Sequence, residues 1–455
     1  MLLTLLQLLL IAIYTLFPLA TLALALYVRL RRRRSAPLIS FFLNCIAAII
    51  FASAFLLLNR HLMAGRIATD DGLRLIYLTL AVICLLRLLD RLLLRCLFRL
   101  ARVSTNPLGH PLPSARFRAL IILLAQRFVM LAIILSYVPA LIITCRPKML
   151  RDGNILSRHS LAASLAQFTT RDRLLLTGWW IPTQPHPPRN TDPELAAHWA
   201  QHTVLLCHGV GSAKEDLIPL AKFLVENGLN VLVFDFRAHG QSEGTFFSYG
   251  DRERLDILAA ARWVRANHLE QAQRLFGIGI NTGAAALIAA AVDPTQGRDL
   301  DALVLYEPFA RFSTLAASVA DDTLHGLFGW LVHHISLPIS SLHAGTNLLS
   351  FAPADLAPQL WPRPVLLVHG RGTTFIPTAQ SMDLYNQIPF PRQRFFPAEA
   401  FTNSRDRFRR AQSDTDLFTE MFRQWLGTAN RISEDPGVQD TTLRFLINAQ
   451  PLPVI

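Results

Sequence analysis

Asn230-Val231-Leu232-Val233-Phe234 runs directly into Asp235-Phe236-Arg237-Ala238-His239-Gly240-Gln241-Ser242-Glu243-Gly244, and after Gly250 a helical pattern begins at Arg252. A short apolar run that breaks into a turn-rich loop and is followed by helical periodicity is the unit from which parallel sheets are built. Outward from it, the alternation continues from about residue 160. Strands are expected at Arg173–Trp180, Thr203–Cys207, Asn230–Phe234, Leu275–Ile280, Ala302–Tyr306, Val365–Val368 and Arg394–Phe396. Helices are expected at Leu217–Glu226, Arg252–Ala266, Gly283–Ala291, Ala379–Asn386 and Asp414–Leu426. Pro182–Asp192 reads as a loop, Phe312–Pro362 as an insertion between two strands, and residues 428–455 as a C-terminal tail. The fold class is α/β, with a mostly parallel, doubly wound sheet.

Three strand-to-loop junctions carry a resemblance. The strand ending at Cys207 is followed by His208-Gly209-Val210-Gly211, and the Asp235–Gly244 loop is similar to DxRGHGxSxG. The strand ending at Ile280 passes through Gly279-Ile280-Asn281-Thr282-Gly283, where a GxSxG elbow would stand. Over roughly residues 160–427 the chain resembles the α/β-hydrolase superfamily, and in these loops the membrane-associated serine hydrolases of acyl-peptidase and lysophospholipase type. The resemblance implies an α/β-hydrolase fold in which 312–362 is a cap and the turn at Val210 supplies one oxyanion-hole amide.

The catalytic positions depart from that family. A nucleophile on the strained elbow needs a hydroxyl or thiol to deprotonate, and the apex here is Asn281. Thr282 has a hydroxyl, but its side chain is expected to point away from where the elbow aims its nucleophile. The resemblance places Thr373, within His369-Gly370-Arg371-Gly372-Thr373-Thr374-Phe375-Ile376-Pro377, at the acid position. Glu307, at the end of the preceding strand, either stands in as the acid or is a solvated strand-end carboxylate. The base should lie in Phe396-Pro397-Ala398-Glu399-Ala400-Phe401, where Phe401 takes the histidine position, and no histidine follows His369. Without a base in hydrogen-bond reach the usual acyl transfer has no proton acceptor. What the pattern retains is a candidate ligand corner of His208, Gly209, Val210, Asn281 and Thr282, with the Thr282 amide at a helix N-terminus. Two readings of the elbow glycines stay open, a binding corner or merely a tight turn. His208 and His239 are expected to fix loop conformation by hydrogen bonding.

Residues 1–149 have a different character. They hold 18 Lys and Arg against 3 Asp and Glu, whereas residues 150–455 hold 26 against 29, so the net charge of +12 and the pI near 10.1 arise in the first third. Mean hydropathy is +0.33 and 52% of residues are hydrophobic, which excludes a disordered chain. The cations flank apolar runs, so basicity is read as membrane topology and nucleic acid is not expected as a partner. About four transmembrane helices are expected, at 2–28, 38–58, 75–95 and 122–145. With Arg29–Arg34 and Arg87–Arg118 on the cytoplasmic side, the C-terminal domain is expected in the periplasm of a bacterium, behind a multi-pass inner-membrane anchor. Cys45, Cys84, Cys96, Cys145 and Cys207 form no CxxC or His/Cys cluster, and neither a metal nor a cofactor is expected.

Function is thus expected to be that of a membrane-anchored pseudo-hydrolase that binds an acyl or carboxylate ligand or a membrane-protein partner. The alternatives are an active esterase, lipase or peptidase with an unconventional site, and a structural subunit of an envelope complex.

Overall fold

The structure of the protein, a computed structural model, describes residues 66–67, 93–102, 115–145, 148–150, 154–183, 200–324, 327–370, 376–389, 391–395 and 436–449. The chain divides into two compact units, residues 1–61 with 67–139, and residues 62–66 with 140–455. The domain boundary therefore falls ten residues before the expected end of the first region at 149.

In the first unit, the spans expected at 2–28 and 38–58 lie outside the described residues, as does 75–95 apart from positions 93–95, which are helical. Helix α1, Arg116–Thr144, covers the span expected at 122–145. Arg116, Arg118 and Arg127 punctuate its first half, and among the described residues no helix is long and apolar enough to cross a membrane. The expected four-helix bundle is therefore not found there. Within this unit Ala115 and Ala119 are buried against Phe98 and Ile122, while the larger Phe117, Leu120, Ile121, Leu124 and Phe128 are exposed.

The second unit holds an eight-stranded sheet: β1 Ser164–Thr169, β2 Leu175–Ile181, β3 His202–Cys207, β4 Asn230–Phe234, β5 Arg274–Ile280, β6 Ala302–Tyr306, β7 Val365–Val368 and β8 Arg392–Phe395. Their spatial order is β8-β7-β6-β5-β3-β4-β2-β1. β1 and β2 pair antiparallel, β2 meets β4 antiparallel, and the other neighbours are parallel. The central strands are apolar on both faces because helices cover both. One face, with Leu205, Leu232, Leu275, Leu303 and Leu367, packs on α3 (Arg254–Asn267), α4 (Thr282–Ala291) and α7 (Thr378–Gln387). The other, with Val204, Val231, Phe276, Val304 and Leu366, packs on α2 (Ile218–Glu226) and α8 (Pro436–Asn448).

Helix α8 corrects the reading of residues 428–455 as a tail. Val438, Thr442, Phe445 and Leu446 recur at helical spacing and are buried, and the Thr442 hydroxyl pairs with the Tyr306 phenol at 2.7 Å. The helix expected at 414–426 lies outside the described residues. β1 is an addition that the sequence reading did not contain.

The insertion at 312–362 is helical, with α5 (Phe312–Leu324), a short helix at Leu327–Leu331, a π-turn at Val332–Ser336 and α6 (Leu337–Ala344). Its Phe312, Leu315, Leu337, Leu348 and Phe351 form one buried cluster with Val210, Phe247, Tyr249, Ala285 and Phe309. The strands end level beneath it: Cys207 lies opposite both Phe234 and Gly279, and Ile280 opposite Tyr306, which in turn faces Val368. Residues 208, 235, 281, 307 and 369 consequently emerge along one carboxyl edge of the sheet, where open α/β sheets place their sites.

Candidate active site

The elbow is built by strand β5 turning into helix α4 at Asn281, whose backbone has φ 53° and ψ −108°. A non-glycine residue in this region costs about 1–3 kcal/mol and persists only where its surroundings enforce it. Here the Asn281 amide donates to the Tyr306 carbonyl at 2.8 Å, and the Asn281 carbonyl accepts from the Ala284 and Ala285 amides at 3.1 and 3.2 Å. The two elbow glycines are steric necessities. A Cβ on Gly279 would lie 2.6 Å from the Gly283 carbonyl, and one on Gly283 would lie 2.3 Å from the Cys207 carbonyl and 2.6 Å from that of His208. A Cβ on Gly209 would sit 3.4 Å from the Asn281 Cβ, so the turn after β3 and the elbow are in contact. The structure thus brings His208, Gly209, Val210, Asn281 and Thr282 into one corner.

Asn281 is only 6% exposed, and its Oδ1 accepts from the Thr282 hydroxyl at 3.4 Å. The Thr282 hydroxyl is therefore turned to a carboxamide, which cannot serve as a base. His208 donates from Nδ1 to the Gly209 carbonyl at 2.7 Å and accepts at Nε2 from the Phe236 amide at 3.0 Å. His239 donates from Nδ1 to the Arg237 carbonyl at 2.9 Å and accepts at Nε2 from the Gly211 amide at 3.2 Å. Each ring is fixed in its neutral tautomer and braces the loop after β3 against the loop after β4, with the two centroids 5.0 Å apart. His208 thus meets backbone through both nitrogens, which is a loop-fixing arrangement.

Glu307 follows β6 with φ 47° and is 1% exposed, so it is not the solvated strand-end carboxylate that was one of its two readings. The Gly370 amide donates to its carboxyl, yet burial dominates and pushes the group up to about 8. At neutral pH the side chain keeps its proton, unlike an acid that orients a catalytic histidine as a carboxylate. His369, one strand further on, donates from Nδ1 to Ser381 Oγ at 2.8 Å while that hydroxyl donates to the Pro308 carbonyl at 2.6 Å. Burial holds its imidazole down to about 4, so it is neutral as well. Thr373 and Phe401 lie outside the described residues.

Sequence reasoning passed over the charged scaffold beneath the site. Lys214 is fully buried, its Nζ 2.6 Å from Asp235 Oδ2, 3.1 Å from Glu215 Oε1 and 4.8 Å from the Trp179 ring centre. Its backbone amide donates to Asp235 Oδ1 at 2.8 Å, and the Lys214 ammonium holds the Asp235 carboxyl below its ordinary range against the effect of burial. A Cβ on Gly240 would fall 2.2 Å from Asp235 Oδ2, which explains the glycine in that loop. Arg237 forks onto Asp256 with contacts of 2.6 and 3.0 Å and reaches Asp172 at 2.7 Å. The available signal was a lysine and an aspartate standing in otherwise apolar or turn-rich strand ends.

A profile of the family described as serine aminopeptidase, S33, matches residues 199–351, which contain both the turn after β3 and the elbow. The chain is 26% identical over 242 residues to the uncharacterised protein YfhR of Escherichia coli K12, covering 53% of this chain and 74% of that one. It is 27% identical over 226 residues to the uncharacterised protein YqkD of Bacillus subtilis, covering 48% and 71% respectively. Among solved structures, an esterase of Pyrococcus furiosus is 22% identical with a TM-score of 0.45, over 63% of this chain and 99% of the esterase. Strand order and the strained turn between β5 and α4 give the second unit the fold of the α/β-hydrolase superfamily, with which the family match over residues 199–351 agrees.

Proposed function

We propose that the protein is a catalytically inactive member of this superfamily, anchored to a membrane, whose elbow corner binds an acyl or carboxylate group. The observation that carries the proposal is Asn281 at the strained apex, a position where catalysis requires a group that can be deprotonated and attack. The commitment of both ring nitrogens of His208 and of His239 to loop backbone supports the same reading. Thr373 and Phe401 at the acid and base positions complete it as an expectation from the sequence.

Membrane attachment is supported by the charge asymmetry and apolar runs of residues 1–149 and by α1, which buries alanines while exposing phenylalanine and leucine. That inversion of the usual burial preference suits a lipid or apolar protein environment around this helix. The domain is assigned by the same reasoning to the periplasmic face of a bacterial inner membrane.

The test is covalent. Purified full-length protein exposed to a fluorophosphonate probe and to activated esters should show neither labelling nor turnover. Labelling at a serine or threonine near the elbow would replace this reading with that of an active hydrolase.

A further inference from the structure

Asn281, Glu307 and His369 occupy neighbouring positions along the carboxyl edge, because Ile280 faces Tyr306 and Tyr306 faces Val368. Two of the three are held at positive φ, 53° for Asn281 and 47° for Glu307. Strain of this kind at adjacent strand ends marks a place whose geometry is imposed by its surroundings. Glu307 adds a second, independent observation. Its Oε1 is buried and has no hydrogen-bond partner among the described residues, although buried polar atoms are nearly always paired.

We propose that the Glu307 carboxyl and the Asn281 carboxamide form the polar end of a site for the carboxylate of an aliphatic acid. The proposal rests on the elbow being a binding site and not a catalytic one, and it names the ligand class. Asn281 Oδ1 accepts from the Thr282 hydroxyl, which orients the amide so that Nδ2 is the donor on offer. Glu307 keeps its proton in this buried setting and supplies an O–H donor. Two donors at neighbouring strand ends suit the two oxygens of a carboxylate, whereas an ammonium group would find no charged acceptor in the pair. The aliphatic part follows from what flanks the polar pair. Val210 adjoins Gly209, Phe309 is two residues beyond Glu307, and both belong to the apolar cluster with Phe312, Leu315, Leu337 and Phe351.

Calorimetric titration of the full chain with hexanoate, and with hexylamine as the cationic counterpart, tests the assignment near neutral pH. Saturable binding of hexanoate and none of hexylamine is expected. Glu307→Ala should weaken hexanoate about 10-fold or more, and Glu307→Gln, which keeps an N–H donor in the same shape, about 3-fold. Circular dichroism of each variant checks its fold, and the isosteric Gln variant decides the matter if the Ala variant does not fold. Hexanoate affinity unchanged in Glu307→Gln and in Asn281→Leu, or no saturable binding to the wild-type chain, overturns the proposal. Absence of hexanoate binding together with absence of fluorophosphonate labelling removes only this assignment. Labelling removes the non-catalytic reading on which it rests.

Discussion

At Glu307 a single buried carboxyl couples folding to pH, and the sign can be worked out. Its ordinary value is 4.5 and burial raises it to about 8, so the folded state holds a proton that the unfolded chain releases. Its contribution to stability is fully present below 4.5 and is lost as pH rises through about 8. At about 1.4 kcal/mol per pH unit the loss is at most about 5 kcal/mol. Glu307→Gln copies the protonated form and does not titrate. Denaturant midpoints measured across this window should therefore fall with pH in the wild type and stay flatter in the variant, with the variant the more stable at alkaline pH. Parallel profiles would mean that Glu307 is ionised in the folded protein. At the neighbouring elbow, Asn281→Ser alone should restore no ester hydrolysis, because His208 and His239 meet loop backbone through both ring nitrogens. Turnover by that single variant would reveal a base other than His208 and His239.

The elements supply steric predictions. Gly283 lets α4 pack directly on the end of β3, and Gly283→Ala forces a Cβ to within 2.3 Å of the Cys207 carbonyl. The chain must then separate β3 from the elbow, at a cost of about 3 kcal/mol or more, read as a fall in the thermal midpoint. Thr442→Val keeps the shape of α8 but leaves the Tyr306 phenol unpaired in the core, costing about 1–3 kcal/mol. If the two variants lose no stability, α4 and α8 do not pack as described. The strands that the sequence located to the residue were Asn230–Phe234, Ala302–Tyr306 and Val365–Val368, which are buried on both faces and read as unbroken apolar runs. β1 escaped because it is an outermost strand with only Ala166 and Phe168 turned inward and Leu165 exposed. Helix α8 had a legible stripe at 438, 442, 445, 446 and 449, but Thr442 interrupts it with a polar residue whose partner is 136 positions away. The elbow was legible because its glycines are fixed by local sterics. The burial of Glu307 and the Lys214–Asp235 pair were not, since both depend on loops that only the assembled sheet brings together.

For the whole molecule, the proposed membrane attachment raises the question of the side on which the α/β-hydrolase-fold domain would work. Residues 1–149 carry an excess of fifteen positive charges, and the remaining two thirds carry an excess of three negative ones. Cations beside apolar runs of membrane proteins are retained on the cytoplasmic side, so under the proposed membrane attachment Arg29–Arg34 and Arg87–Arg118 would set the orientation. On the proposal of an even number of crossings, the domain would face the periplasm. Under that proposal the elbow corner would meet exogenous acids and envelope lipids before cytoplasmic metabolites. Reporter fusions after residue 160 decide it. Alkaline phosphatase placed there should be active and green fluorescent protein dark, because the first folds only where disulfides form and the second fluoresces poorly after export in the unfolded state. Replacing Arg31–Arg34 with neutral residues should weaken this orientation and raise the fluorescent fraction, if these cations hold the first loop inside. Bright fluorescence and inactive phosphatase in the unaltered chain would place the domain in the cytoplasm. An orientation indifferent to those arginines would mean that another segment of the first unit determines it.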